Sequence, residues 1–173
     1  MLLPSLLLEG YANFRSGRYA SEAERYLRLG EGAQKPRIMI IACCDSRAAP
    51  ETIFDAGPGE MFVVRNVANL VPPYTPDGGH HATSAALEFG VMSLGVQHIV
   101  VMGHGRCGGI RAAVQESSPL THTDFIGSWM RAIKDVTRIV PREVGENAET
   151  FLTGFDGILQ VDGYTVTGRL LPR

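Results

Sequence analysis

The chain has 173 residues, 45% of them hydrophobic and 20% charged, and a net charge of −2. That length fits one domain with a sizeable hydrophobic core, and the composition is that of an ordinary soluble protein. The near-neutral balance removes any electrostatic reason to expect nucleic acid or an anionic membrane as partner, which leaves a small or neutral substrate as the default.

The first eight residues, Met-Leu-Leu-Pro-Ser-Leu-Leu-Leu, are apolar but lack a basic n-region. They are broken by Pro4 and Ser5 and run straight into Glu9, so they read as a docking helix or arm rather than a secretory leader. No stretch approaches the roughly 20 apolar residues of a membrane helix. Residues 11–29 carry Tyr11, Phe14, Tyr19, Tyr26 and Leu27 among charged neighbours, the pattern of a surface helix packing one face, and Gly30 and Gly32 end it. Residues 37–42, Arg-Ile-Met-Ile-Ile-Ala, form a short continuous apolar run, the mark of a strand buried on both faces.

One or two helical turns are expected over residues 50–54, a turn at Gly57-Pro-Gly59, and a second buried strand over 61–64. Residues 70–79 are a loop by their proline and glycine content. A helix is expected from 82 to 94, with Ala85, Leu87, Phe89, Val91 and Met92 too apolar all round for a surface position, and Gly95 closing it. Residues 98–102 read as a third buried strand, running into the glycine-rich segment 103–109, and another helix starts near Ile110. Residues 124–139 are amphipathic, with Phe125, Trp129, Ile133, Val136 and Ile139 on one side, read as core or subunit interface. At the end, residues 158–161 and 164–167 flank Asp162-Gly163, a hairpin signal.

Short apolar strands separated by helices imply an α/β fold: a mostly parallel central β-sheet flanked by helices, with a C-terminal strand or hairpin. The chain divides into a helical arm (1–33), a catalytic core (34–140) and a C-terminal segment (141–173) within one domain. Sites in such sheets lie at the carboxyl ends of strands, and two strands end here at Cys43 and at Gly103-His104.

Three cysteines, two of them adjacent (Cys43 and Cys44), do not make a disulfide framework. They point to reduced thiols in a cytosol, hence a cytoplasmic protein, used for metal binding or catalysis. Zinc favours thiolate and imidazole donors, and its catalytic sites use three protein ligands with a fourth place for water. His104-x-x-Cys107 offers two donors from one glycine-rich turn, and Cys43 at another strand end completes a Cys2His set. An H-x-x-C pair alone does not identify a metal site, and a buried strand-end cysteine is more often packing. What turns the reading towards a metal is Asp45 and Arg47 two and four residues past Cys43, since an ion pair beside a thiolate is costly to desolvate without a task.

Cys43-x-Asp-Ser-Arg47, the segment Arg65-Asn-Val-Ala-Asn69 and His104-x-x-Cys-Gly-Gly109 resemble the three signature blocks of β-class carbonic anhydrases, in order and in spacing. The resemblance runs from about residue 34 to 111. It implies a zinc ion at Cys43, His104 and Cys107, attack of zinc-bound hydroxide on CO2 to give bicarbonate and a proton, and a homodimer or homotetramer with sites at subunit interfaces. Asp45 and Arg47 match the family's catalytic pair, the arginine holding the aspartate off the metal so that it accepts a hydrogen bond from the hydroxide. Gln34, Phe62 and Phe89 fall where the family lines its CO2 pocket; position 89 is often tyrosine there. Ile40 stands where the bicarbonate-inhibited subgroup has tryptophan, so no regulatory site of that kind is expected. The C-terminal third departs from the family, with only residues 140–155 available where members carry a further helix.

Several residues keep bland alternatives. Cys44 is either a redox or second-ligand thiol or, because neighbouring strand residues point oppositely, a buried spectator; the second is the expectation. His80 and His81 are proton shuttles or solvated histidines at a helix start, and His98 and His122 are structural or surface residues. Hydrolysis of CS2 or COS on the same scaffold is a close functional alternative. A closed structural zinc site is disfavoured by the Asp45/Arg47 pair. A cysteine phosphatase is disfavoured by the short loop from Cys43 to Arg47, which cannot wrap a phosphate.

Overall fold

A computed structural model describes residues 3–32, 34–114, 122–133, 158–162 and 165–167. The apolar runs become strands β1 (Ile38–Cys43), β2 (Met61–Asn66) and β3 (His98–His104). They are joined at one side by β4 (Ile158–Asp162) and β5 (Thr165–Thr167) in the order β2-β1-β3-β4-β5. The first four strands are parallel and β4–β5 is antiparallel, as the hairpin signal anticipates. Central β1 has both faces covered: Met39, Ile41 and Ala42 are fully buried and Ile40 nearly so. This explains its unbroken apolar run, since removing one such isoleucine side chain from water contributes about 1.5–3 kcal/mol.

The expected helix over 11–29 is three pieces: α1 (Ser5–Ser16), α2 (Arg18–Ser21) and α3 (Ala23–Glu31). The break falls at Gly17, whose backbone leaves the helical region (φ −101°, ψ −97°). The breaks let Phe14, Tyr19 and Tyr26 fold onto one another, with ring centroids 5.1–5.8 Å apart. The arm docks on the turn before β2: Arg18 Nη2 donates to Ala56 O (3.0 Å) and Arg25 Nε to Pro58 O (2.8 Å). At Gly59 (φ +83°) a side chain would be strained and would meet Leu29 Cδ2 at 2.7 Å.

Arg25 Nη2 also pairs with Glu60 Oε1 (2.6 Å), and Gly57 N–H donates to Glu60 Oε2 (2.9 Å). The Arg25 hydrogen bond, followed by that of Gly57, holds the Glu60 carboxyl below its usual range. A depressed carboxylate stabilises the folded state above its unfolded pKa and loses that contribution as pH falls through the folded one. The arm is therefore expected to loosen on acidification below about pH 4.3. Hydrogen exchange over residues 18–31, corrected for intrinsic rates, should rise there in wild type, and a Glu60→Gln chain should lack that acid-dependent step. The pair is partly solvated, so the effect is modest; identical profiles for the two chains would remove Glu60 from the docking.

After α4 (Pro50–Ile53) and β2, the expected helix over 82–94 appears as α5 (Ala82–Glu88) continuing into a π-helical turn, Phe89–Leu94, and it stops at Gly95 in the left-handed region. Its apolar residues are not all inside, contrary to expectation: Phe89 is 49%, Val91 47% and Met92 78% exposed. Periodicity reports that a face is apolar, not that this chain alone covers it. Following β3 come α6 (Gly108–Val114) and α7 (Phe125–Met130), which passes into a 3₁₀ turn at Arg131–Ile133. The remainder of the amphipathic segment to 139, and residues 140–155, lie outside the described residues. No helix among the described residues is long and apolar enough to cross a membrane.

Candidate metal centre

Strand register builds the site. β1 pairs with β3 through Ala42↔Met102, so the two strands end side by side, with Cys43 last on one and His104 last on the other. Beyond His104 the chain turns through Gly105 and Arg106, the latter at φ +56°, and returns Cys107 to the same point. Cys43 and Cys107 are 5% and 6% exposed, and their Sγ atoms stand 3.8 Å apart. The donor atoms of Cys43, His104 and Cys107 all lie within 4.8 Å of one another.

These residues fit a metal ion on two observations. Two sulfurs each about 2.3 Å from a tetrahedral zinc would be about 3.8 Å apart, the separation found here without a disulfide. The imidazole is the second. His104 Nδ1 lies 3.1 Å from Gly105 O, which can only accept, so Nδ1 carries the proton. Nε2 then presents a lone pair and is buried with no hydrogen-bond partner among the described residues. Arg47 Nη2, at 3.4 Å from Nδ1, is the more distant neighbour and does not reverse that assignment. An orphaned buried acceptor beside two thiols is costly unless a cation takes it. Burial, with Cys43 adding to it, pushes the Cys107 thiol up, so that without a cation it holds its proton.

Asp45 caps the 3₁₀ turn Ser46–Ala48, accepting from Arg47 N–H at 3.0 Å. The Arg47 guanidinium closes a two-point pair, Nε to Oδ1 and Nη2 to Oδ2, both 2.9 Å. Arg47's side-chain bonds, then its backbone N–H, hold the Asp45 carboxyl far below the ordinary carboxylate range. Asp45 is thus an anion and an acceptor only, a quarter exposed, with Oδ2 3.9 Å from His104 Nε2. Anchored by Arg47, it stands beside the three donors and is not one of them.

Two neighbouring segments carry roles the sequence reading left blank. Asn66 ends β2 and clasps the next loop, its Oδ1 accepting from Leu70 N and its Nδ2 donating to Leu70 O and to buried Thr83 Oγ1. Between them Ala68 (φ +64°) and Asn69 (φ +47°) are left-handed, and Trp129 Nε1 donates to Val67 O at 2.7 Å. That loop packs against the Cys107 turn so closely that a Cβ at Gly109 would meet Val67 Cγ1 at 2.9 Å. Arg65 reaches across to the other turn, donating to the carbonyls of Cys43 and Asp45. In sequence the segment stood out as the block Arg65-Asn-Val-Ala-Asn69 and as a charge closing an apolar strand, neither of which states these contacts.

Of the pocket residues, Phe62 and Phe89 come together, centroids 5.9 Å apart and tilted 48°, with Phe89 facing outward. Gln34 is half-buried just before β1, and among the described residues no hydrogen bond joins it to the three donors. Cys44 is exposed, not the buried spectator expected. The chain bends directly after Cys43, so there is no sheet face left for the next side chain to enter. His80, His98 and His122 are exposed, and so is His81, whose Nε2 lies 2.7 Å from Asp77 Oδ1. A separate cleft of about 390 Å³ between the start of α5 and α7 is lined by His80, His81, Thr83, Phe125 and Trp129, and by none of the three donors.

Comparison with known proteins places this geometry. A family model described as carbonic anhydrase matches residues 38–153. Beta carbonic anhydrase 5, chloroplastic, of Arabidopsis thaliana is 42% identical over 130 residues, which are 73% of this chain and 42% of that protein. The structure of the β-carbonic anhydrase CcaA aligns with a TM-score of 0.72 at 31% identity, covering 78% of this chain and 59% of that one. A structure described among two tetrameric β-carbonic anhydrases from Sordaria macrospora aligns at 0.66 and 30% identity, covering 78% and 64%. The chain spans less than half the length of the curated relatives it matches.

Proposed function

Because the chain belongs to the β class of carbonic anhydrases, we propose that it hydrates CO2 reversibly to bicarbonate and a proton, with zinc held by Cys43, His104 and Cys107. The observation that carries this is the meeting of two buried thiols and an unpartnered imidazole nitrogen beside a carboxylate locked in its charged form. Bound there, zinc would supply Lewis acidity, lowering the pKa of a water ligand by many units from that of bulk water.

The chain's own residues supply the rest. Asp45 is the catalytic acceptor: Oδ2 takes a hydrogen bond from the attacking oxygen and so turns its lone pair towards the carbon of CO2. Arg47 keeps Asp45 ionised and swung away from the metal donors. His104 is held in one tautomer by Gly105 O. Phe62 and Phe89 offer an apolar surface suited to a small, uncharged, apolar substrate, with Gln34 as an amide donor to it. We read residues 1–173 as one unit of arm, core and C-terminal segment. The exposed side chains of Phe89, Val91 and Met92, and of Leu6, Leu7 and Leu8 on α1, support assembly as a homodimer or homotetramer. Three free thiols support a reducing compartment, which we take to be the cytoplasm, although the Arabidopsis relative is named for the chloroplast.

The test is metal quantification together with stopped-flow CO2 hydration across pH. About one zinc per chain is expected. Hydration should rise towards alkaline pH, because two thiolates leave the metal less electrophilic than three imidazoles would. A chain carrying its full metal and no hydration at any pH would remove the activity and leave the metal centre standing.

A further inference from the structure

Arg65 lies on β2 opposite Ala42 of β1, and its neighbour Asn66 is the last β2 partner of Cys43. Beyond that pair the ladder stops, yet Cys43 and Asp45 must keep a fixed relation across the exposed Cys44. The local bonds at the bend do not tie its two carbonyls to each other: Cys44 N donates to Asn66 O (2.9 Å), Asp45 N lies 3.5 Å from Cys43 Sγ, and Ala48 N donates to Asp45 O (2.9 Å). The half-buried Arg65 side chain spans the rest, Nε donating to Cys43 O at 3.0 Å and Nη2 to Asp45 O at 2.6 Å. These two nitrogens belong to one rigid planar edge, so the distance between the two carbonyls is set by the guanidinium itself.

We propose that Arg65 is a positioning residue for the metal centre, a ruler that fixes the Cys43 thiol relative to the Asp45 carboxylate. It touches neither donor atoms nor reacting atoms and acts only through the backbone on either side of Cys44. A lysine at 65 keeps the charge but offers a single point donor on a flexible stem, and so cannot hold both carbonyls at one spacing. This inference rests on the proposed metal centre.

The experiment compares wild type with Arg65→Lys, Arg65→Gln and, as a surface control, Arg37→Lys, whose exposed side chain bonds Gln97. Three quantities are read: metal affinity by chelator competition, the absorption spectrum after replacement of zinc by Co(II), and kcat and KM for CO2 hydration. Both Arg65 variants should bind metal about ten- to a hundredfold more weakly, the range typical of residues that orient ligands. They should show an altered Co(II) spectrum and lose kcat with little change in KM, while the Arg37 variant matches wild type. An Asp45→Asn, Arg65→Lys double variant should lose no more kcat than Asp45→Asn alone. If Arg65→Gln fails to fold, the lysine variant carries the comparison. Arg65 variants with wild-type affinity and spectrum overturn the proposal while the enzyme reading stands. Wild type binding no metal overturns both.

Discussion

Replacing Cys107 with alanine is expected to empty the metal site, taking ion content from about one per chain to less than about a tenth of that. Two donors remain, and neither imidazole nor a single thiolate holds the ion alone. The loss should not be one of fold. Cys107 is small and buried, and removing its sulfur leaves a void worth about 1 kcal/mol against a typical stability of about 5–15 kcal/mol. The far-ultraviolet circular dichroism should therefore stay close to that of metal-stripped wild type. The same residue dictates a pH dependence. Burial raises the Cys107 thiol in the metal-free chain, so near neutrality binding must expel a proton. Wild-type affinity in chelator competition should accordingly climb with pH, by up to about tenfold per unit for each proton released. An affinity that stays flat between pH 6.5 and 8.5 would mean that the thiols are not the ligands.

Asp45→Asn is expected to cost about 10²–10⁴ in kcat with metal content unchanged, the range found when a positioned acceptor is lost. Arg47 holds the carboxylate at both oxygens, and in the proposed mechanism that carboxylate also orients the nucleophile. An amide puts a donor where one of these oxygens stood, and that NH2 faces either the guanidinium or the attacking oxygen with the wrong polarity. Because Arg47 keeps Asp45 ionised well into acid, its own titration is not expected to appear in the pH–rate profile near neutrality. Metal analysis and stopped-flow rates on the two proteins decide the matter, and equal rates would take Asp45 out of the mechanism.

How far the chain could be read in advance follows from the range of each interaction. The three core strands were legible because each is an apolar run bounded by turn residues, but the expected burial holds only for β1. β2 is half-buried along its length and β3 begins exposed at His98 and Ile99, because how far a strand is covered depends on what packs over it. The arm was legible as helix but not as three helices, since the break at Gly17 serves contacts among Phe14, Tyr19 and Tyr26 that close only after folding. Phe89, Val91 and Met92 were legible as apolar, but whether an apolar face meets its own core or another molecule is not a local property. Cys44 was misread because strand alternation was carried one residue past the strand's end.

At the candidate site the division is similar. Donor identity, the turn that returns Cys107 to His104, and the spacing of Asp45 and Arg47 are written in short stretches of chain, because they depend on covalent geometry and side-chain chemistry. Strand order is not. Only the folded chain puts β1 between β2 and β3, so that the connections leaving β1 and β3 run in opposite directions and open the sheet's edge where these two strands end. That brings the Cys43 donor atom to within 4.8 Å of those of residues more than sixty positions away. The grip of Arg65 on two carbonyls belongs to the same class, since it is fixed by strand pairing and not by sequence neighbourhood, whereas the tautomer of His104 is set locally by Gly105 O.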